Sequence, residues 1–324
     1  MLNISKFYVI GVISNPIRFQ TRWKLFKQFK EHMSKQGANL LVVEQAFGKR
    51  EFQVTDKDNP MHLQLRTDTE LWHKENMINL GINRLSMIDP SWEYVAWVDV
   101  DLHFNRDDII LETAQQLQHY DIVQMFSNAI DLDPNYNIHR MYKGFAYMYH
   151  ENNFYPPHGT GKGGYYLYGI NKDEYWHPGF AWAARREAID KTNILDRAIL
   201  GAGDHHMALS LIGIGERSLH QNCTPEYKKY VMSWQHNALH AFKKNIGYVP
   251  GTVSHYWHGS KNNRNYWGRW NIINNNKFDP ITDLTTDSQG MYKLNMGHGE
   301  RSIRLRNELR QYFRQRNEDC IYIQ

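Results

Sequence analysis

The chain has 324 residues, 41% hydrophobic and 22% charged, which is ordinary for a globular protein and room for one large α/β domain or two small ones. A net charge of +4, from 38 basic and 34 acidic residues, suits an anionic partner without requiring one. Two cysteines, Cys223 and Cys320, exclude a disulfide framework and a cysteine-rich zinc site. With neither a basic start followed by an apolar run nor any stretch of about 18 apolar residues, the sequence reads as a soluble, cytoplasmic protein without a transmembrane segment.

The apolar run Phe7–Ser14 predicts a first buried strand, broken by Asn15-Pro16. Trp23, Phe26, Phe29 and Met33 recur at helical spacing, which predicts a helix over residues 20–35 ending at Gly37. Residues 39–43 read as a second strand, followed by a loop around 45–48. Residues 70–85 read as a helix with Leu71, Met77, Ile78, Leu80 and Ile82 on its apolar side. The run from Val95 then forms a third strand, ending in Asp99 and Asp101. Strand, helix, strand, helix, strand predicts a Rossmann-like, mostly parallel central sheet flanked by helices, with ligands beyond the strand carboxyl ends. Asp99 and Asp101 fall there. Alternation along an extended chain would point both to one side, and two ionised carboxylates side by side repel unless a cation lies between them. Mg²⁺ or Mn²⁺ suits such oxygen ligands and also holds substrate phosphates.

Further along, residues 107–120 read as a helix, 122–126 as a strand, and 131–178 as long loops and short strands lining a cleft. Gly161-Lys162-Gly163-Gly164 lacks the full P-loop pattern and reads as a mobile cleft loop. Residues 180–184 form a strand, a helix starts at Arg186, and Asn-rich 271–277 is a surface loop. The stretch 300–316 predicts a C-terminal helix with Leu305, Leu309, Tyr312 and Phe313 on one face. It carries Arg301, Arg304, Arg306, Arg310, Arg314 and Arg316. No low-complexity linker interrupts the chain.

Four blocks then form a pattern: Asn15-Pro16-Ile17-Arg18 with Arg22; the run from Trp72 to Ile82; Asp99-Val100-Asp101-Leu102; and Pro178-Gly179-Phe180-Ala181-Trp182 leading to Gly201-Ala202-Gly203-Asp204. In this order they resemble metal-dependent glycosyltransferases of the GT-A fold, nearest in pattern to the β-1,4-galactosyltransferases and their relatives. That family has a Pro-Phe-Arg type loop in the first block and Phe-Asn-Arg-Ala-Lys-Leu-Leu-Asn-Val-Gly-Phe in the second. It has Asp-Val-Asp-Leu in the third, and Gly-Gly followed by Gly-Gly-Glu-Asp in the fourth. The resemblance implies a GT-A domain over 1–270, with a nucleotide-sugar and metal half (1–126) and an acceptor half (127–270), and a C-terminal extension over 271–324.

It also implies roles. Asn15, Pro16, Arg18, Arg22 and Lys74 would contact the UDP-sugar donor, with Lys261 and Arg264 reaching its diphosphate. Asp101 would ligate Mn²⁺ (or Mg²⁺), and Asp99 would face the ribose or bridge through water or metal. One histidine of His255-Tyr256-Trp257-His258-Gly259 would complete the metal site, with His258 favoured over His255. Two histidines three apart in an extended segment would not share a direction. Asp204 or His205 would be the general base, since Asp204-His205-His206 stands where the family has a run of acids; an N-cap is the other reading of Asp204. Trp182, Phe180, Gly203 and Trp176 would line the acceptor side. The expected activity is inverting transfer of a sugar to a saccharide hydroxyl. The Arg-rich tail and basic balance raise a hydroxymethylated DNA base as the alternative acceptor. A metal-dependent nucleotidyltransferase is disfavoured because no glycine-rich loop follows the first strand. A non-catalytic carbohydrate-binding protein would not need Asp99, Asp101, Asp204 and His258 together.

Overall fold

The computed structural model describes residues 4–151, 176–266 and 268–322. Its first half runs β1 (Phe7–Ser14), α1 (Gln20–Lys35), β2 (Asn39–Phe47), β3 (His62–Thr67), α2 (Lys74–Ile88) and β4 (Tyr94–Val98), and all but β3 follow the apolar periodicity. β1 runs parallel to both β2 and β4, and β2 parallel to β3. β1 and β4 are apolar on both faces. Ile10, Val95 and Trp97 pack into one core, and Val9, Ala96 and Val98 into the core on the opposite face. Gly81 of α2 lets helix and sheet approach: a Cβ there would lie 3.1 Å from Ile10 and 3.2 Å from Val43.

The chain continues through β5 (Leu102–Phe104), α3 (Ile109–Gln116), β6 (Ile122–Gln124), β7 (Asn128–Leu132), β8 (Ile138–Gly144), α4 (Phe145–Glu151), β9 (Trp176–His177), β10 (Ala181–Arg185), α5 (Arg186–Ile189), α6 (Gly203–Leu211), α7 (Pro225–Phe242), β11 (Ile246–Tyr248) and β12 (Thr252–His255). The described strands form a seven-stranded sheet, β11-β6-β10-β4-β1-β2-β3, and a five-stranded sheet, β5-β12-β7-β8-β9. The larger sheet is mostly parallel; only β10 runs antiparallel to its neighbours β4 and β6. The fold is therefore mixed α/β, a mostly parallel central sheet flanked by helices. β1 sits between β2 and β4, so the connections diverge there and open a crevice beyond the carboxyl ends of β1 and β4.

The remainder comprises α8 (Lys261–Arg264), α9 (Arg269–Asn275), the hairpin β13 (Leu284–Thr286) and β14 (Tyr292–Leu294), and α10 (Glu300–Gln315). Leu305, Leu309, Tyr312 and Phe313 of α10 bury into the same core as α2. No described helix is long and apolar enough to cross a membrane.

Three readings change. β2 runs on to Phe47 where a loop was expected, because β3 pairs with it through Phe47↔Thr67 and Glu44 accepts hydrogen bonds from the Val54 and Thr55 backbone. The Asn-rich segment is not a surface loop. Trp270 and Ile273 carry α9 into the core, and the buried Asn276 side chain donates to the Ile272 carbonyl. Of the long loops and short strands expected over 131–178, β7, β8 and β9 are the short strands, while Phe145–Glu151 form a helix, α4; Gly161–Gly164 lies outside the described residues.

The C-terminal segment is locked by charge. Glu318, 1% exposed, accepts from Arg22 Nη2 at 2.7 Å and from Arg316 Nε at 2.6 Å. Burial opposes its ionisation, but Arg22 and Arg316 outweigh that and bring its carboxyl down to about 2. Glu318→Ala, which strands the buried Arg316 charge, is expected to cost about 3–5 kcal/mol in urea denaturation at pH 7. A carboxyl lowered on folding stabilises above its unfolded value and loses that contribution in acid. The gap between wild type and variant should therefore narrow as pH falls from about 4.5 towards 2.

Candidate metal and active site

The crevice beyond β1 and β4 holds a cavity of about 350 Å³. β4 ends at Val98, and residues 99–101 make a turn that carries the chain from the larger sheet into β5 of the smaller one. Asp99 and Asp101 are therefore not alternate residues of one strand. Asp99 stays with the larger sheet, its N–H donating to the Phe180 carbonyl at 2.9 Å, while the Asp101 carbonyl accepts from Tyr256 N in the smaller sheet at 3.0 Å. The two carboxylates diverge accordingly. Asp99 pairs with Lys74, and Asp101 turns towards two histidines.

Strand register assembles this second group. His255 lies opposite Leu102 on β5 and beside Asp131 on β7. Asp131 Oδ1 meets His255 Nδ1 at 2.8 Å. Burial disfavours the Asp131 charge, yet His255 and Lys261 hold its carboxyl well below the usual range. An ionised carboxylate only accepts, so His255 Nδ1 carries a hydrogen and Nε2 is the ring nitrogen that faces Asp101 and His258. After His255 the chain turns out of β12, which brings His258 back to the same point. His258 Nε2 is 3.0 Å from His255 Nε2 and accepts from Arg264 Nη2, also at 3.0 Å. Burial, with Arg264 and His255 beside it, holds His258 well below its ordinary pKa and hence neutral. Asp101 Oδ2 lies 3.2 Å from His258 Nε2 and 3.8 Å from His255 Nε2. The turn is why both histidines converge, where an extended segment would have separated them.

Three atoms of metal-ligating type thus face one another, and Asp101 Oδ1 is buried without a hydrogen-bond partner among the described residues. Ligand atoms about 3–3.5 Å apart are what a cation with bonds of about 2.1 Å requires. A carboxylate behind a ligating imidazole is the usual outer support of a metal site. The residues fit a divalent ion, and Asp101, His255 and His258 would hold it. Asp99 is not in this group.

Opposite stands an acidic cluster around Lys74, the first residue of α2. His73 anchors that helix start: its Nε2 donates to the Tyr292 carbonyl of β14 at 2.8 Å, and its Nδ1 accepts from Gln45 of β2 at 2.8 Å. Burial works against the Lys74 charge, but Asp99 first, then Glu75 and Asp204, hold its pKa above the ordinary value. Asp204 lies in the first turn of α6, where the helix N-terminus favours a negative charge. It is not the N-cap; Ala202, at φ 77°, holds that position. Burial raises the Asp204 carboxyl, but Lys74, His177 and His205 together lower it, so it is ionised at neutral pH. Its Oδ1 accepts from His205 N at 2.8 Å. Its Oδ2 lies over Gly179, where a Cβ would come within 2.2 Å. His205 stacks on Trp176 at 6.0 Å, and burial lowers its pKa to about 4.

The cavity wall includes Pro16, Arg22, Lys74, Asp99, Asp101 and Phe180, and also Asp204, His205, His255, His258, Lys261 and Arg264. Five expected residues lie off it. Asn15 ties its own loop together through Phe19, and Arg18 stacks over Trp23. Trp182 is 3% exposed and donates to the Pro178 carbonyl, and Trp176 is 1% exposed against Phe145. Gly203 makes room for Glu75. Arg22 reaches the cavity but is engaged by Glu318 and the Ser14 carbonyl. Asp131, Glu75, His177, Tyr142, Arg269 and Glu318 also line the cavity and escaped the sequence reading. A charge between apolar neighbours in the β7 run Asn128-Ala-Ile-Asp-Leu was the one signal for Asp131.

No family model and no curated protein matches the chain. Among solved structures it is similar to Drosophila β-1,4-galactosyltransferase 7 in complex with manganese, UDP-Gal and xylobiose, at 14% identity and a TM-score of 0.31. That likeness covers 64% of this chain and 62% of the other. The chain is also similar to a protein assigned as a nucleotide-diphospho-sugar transferase from Desulfovibrio desulfuricans G20, at 12% identity and a TM-score of 0.32, covering 95% and 98%. A third is a glycosyltransferase involved in glycosylation of the major capsid of PBCV-1, at 10% identity and 0.29, covering 94% and 98%. The chain spans about three fifths of the galactosyltransferase structure's length. Likenesses at such scores decide nothing about chemistry, which the cavity itself has to carry.

The metal assignment has a direct check. In equilibrium titration with Mn²⁺, Asp101→Ala is expected to abolish binding. Asp131→Asn, which loosens His255 without removing a ligand, is expected to weaken it about 10–100-fold. Wild-type affinity in Asp101→Ala would refute the assignment.

Proposed function

We propose that the protein is an inverting, metal-dependent glycosyltransferase that moves a sugar from a UDP-sugar to a hydroxyl of a saccharide. The observation that carries this reading is the convergence of Asp101, His255 and His258 on one wall of a cavity that also holds the ionised Asp204. A bound divalent ion supplies Lewis-acid stabilisation of the charge that builds on a departing diphosphate. Two imidazole nitrogens beside one carboxylate suit Mn²⁺ better than Mg²⁺, which prefers oxygen.

The other roles follow from chemistry and position. Lys261 and Arg264 bring cations to the metal side of the cavity, held there by Asp131 and His258, and would meet the phosphates. Asp204 accepts the acceptor hydroxyl's proton at Oδ2 while Oδ1 remains hydrogen-bonded to the His205 N–H. His205 positions that carboxylate through its backbone N–H. Attack from the side opposite the diphosphate inverts the anomeric centre. Lys74 offsets the repulsion between Asp99 and Asp204 and keeps Asp204 ionised, free to take a proton.

A saccharide is favoured over a hydroxymethylated DNA base because four of the six arginines over 300–316 already face carboxylates of the chain, while Arg304 and Arg306 meet only asparagines. Arg301 binds Asp283, Arg304 binds Asn276, Arg310 and Arg314 bind Glu70, and Arg316 binds Glu318. Arginines paired with carboxylates of the chain contribute less to the field that a phosphate backbone would meet.

Release of UDP from a panel of UDP-sugars with Mn²⁺ tests the reaction. Activity should vanish with EDTA and in Asp101→Ala. Asp204→Asn should lose about 10²–10⁴-fold in kcat while its UDP-sugar dissociation constant stays within a few-fold of wild type. Unchanged turnover in Asp204→Asn would remove it as base, and EDTA-resistant turnover would remove the metal mechanism.

A further inference from the structure

Glu75, the second residue of α2, has no role in the chemistry above, yet it is 5% exposed and lines the cavity. Its Oε2 is buried with no hydrogen-bond partner among the described residues. Lys74, the neighbouring cation, is paired with Asp99. Gly203 accommodates the Glu75 carboxyl: a Cβ at 203 would lie 3.0 Å from Oε1 and from Cδ. A buried carboxyl oxygen without a partner is costly, and such groups persist in folded proteins where something else satisfies them.

We propose that Glu75 is a specificity-determining residue that hydrogen-bonds a hydroxyl of the sugar carried by the donor. This rests on the transferase reading of the same cavity. Glu75 adjoins Lys74 and Asp204, the side of the cavity where the transferred sugar must lie if the diphosphate is held at Asp101 and the acceptor is deprotonated at Asp204. Burial, foremost, lifts the Glu75 carboxyl to about 8 against the pull of Lys74, so at neutral pH it is mostly protonated and both donates and accepts. A hydroxyl is the substrate group that matches both capacities. The galactosyltransferase segment that residues 72–82 resemble has alanine at this place, so the carboxyl is a feature of this chain.

The test is calorimetric titration with Mn²⁺ and UDP, and with Mn²⁺ and UDP-glucose, UDP-galactose or UDP-N-acetylglucosamine, in wild type, Glu75→Ala, Glu75→Met and Glu75→Gln. For the UDP-sugar that wild type binds tightest, the alanine and methionine variants should lose about tenfold in affinity, the worth of one buried hydrogen bond. UDP alone should bind within about twofold of wild type. Glu75→Gln, which keeps a donor and an acceptor, should retain most of the affinity. Glu75→Met fills the volume should the alanine variant fail to fold. Equal losses for UDP and UDP-sugar, or no loss for either, would overturn the assignment of Glu75. Failure of wild type to bind UDP or any UDP-sugar with Mn²⁺ would overturn the transferase reading and this assignment with it.

Discussion

One carboxylate and two imidazole nitrogens brought within 4 Å of one another at the seam of two sheets set the terms for the rest of the structure. Such a cluster is unfavourable by itself and becomes favourable around a cation. Its construction depends on strand register more than on side-chain choice. Leu102, His255 and Asp131 occupy matched positions on β5, β12 and β7, so the residue before Leu102 and the residues after His255 necessarily meet. A slip of one residue in β12 would point His255 to the opposite face of the sheet. Asp131 adds a second constraint by fixing which ring nitrogen of His255 carries hydrogen.

The opposite wall is built differently. There the positions come from helix starts rather than strand ends. α2 begins at Lys74 because His73 bridges β2 and β14, and α6 begins after the left-handed Ala202, which presents Asp204 over Gly179. Lys74 is the cation that lets Asp99 and Asp204 share the space. α10 closes the back of the cavity, with Arg316 stacked over Trp72 at 5.2 Å and Glu318 beside His258. The C-terminal segment is thus part of the wall of the site, and its charges serve the fold before they serve any partner.

Much of the frame was legible in the sequence because local patterns decide it. The β1 run is continuous and apolar, and the α1 periodicity is clean; both fall where the pattern places them. Asp101 could be singled out because it stood at the end of an apolar run, and Asp204, His255 and His258 because their segments resemble the glycosyltransferase pattern. Long-range pairing was not legible. β3 carries the polar run His62-Leu-Gln-Leu-Arg-Thr and exists through its pairing with β2. The turn that separates Asp99 from Asp101, and the one that folds His258 back onto His255, depend on contacts between sheets. Trp176 and Trp182 could be read as sugar platforms only until their burial was known. Glu75 was hidden because a carboxylate in the first turn of a helix is ordinarily a dipole partner facing water.

The most direct test is crystallographic: crystals soaked with Mn²⁺ and UDP, with diffraction measured at the manganese absorption edge. The account predicts an anomalous peak about 2.1–2.2 Å from Asp101 carboxylate oxygen and from Nε2 of both His255 and His258, with diphosphate oxygens completing the coordination. A peak elsewhere, or UDP bound away from these three residues, would contradict it.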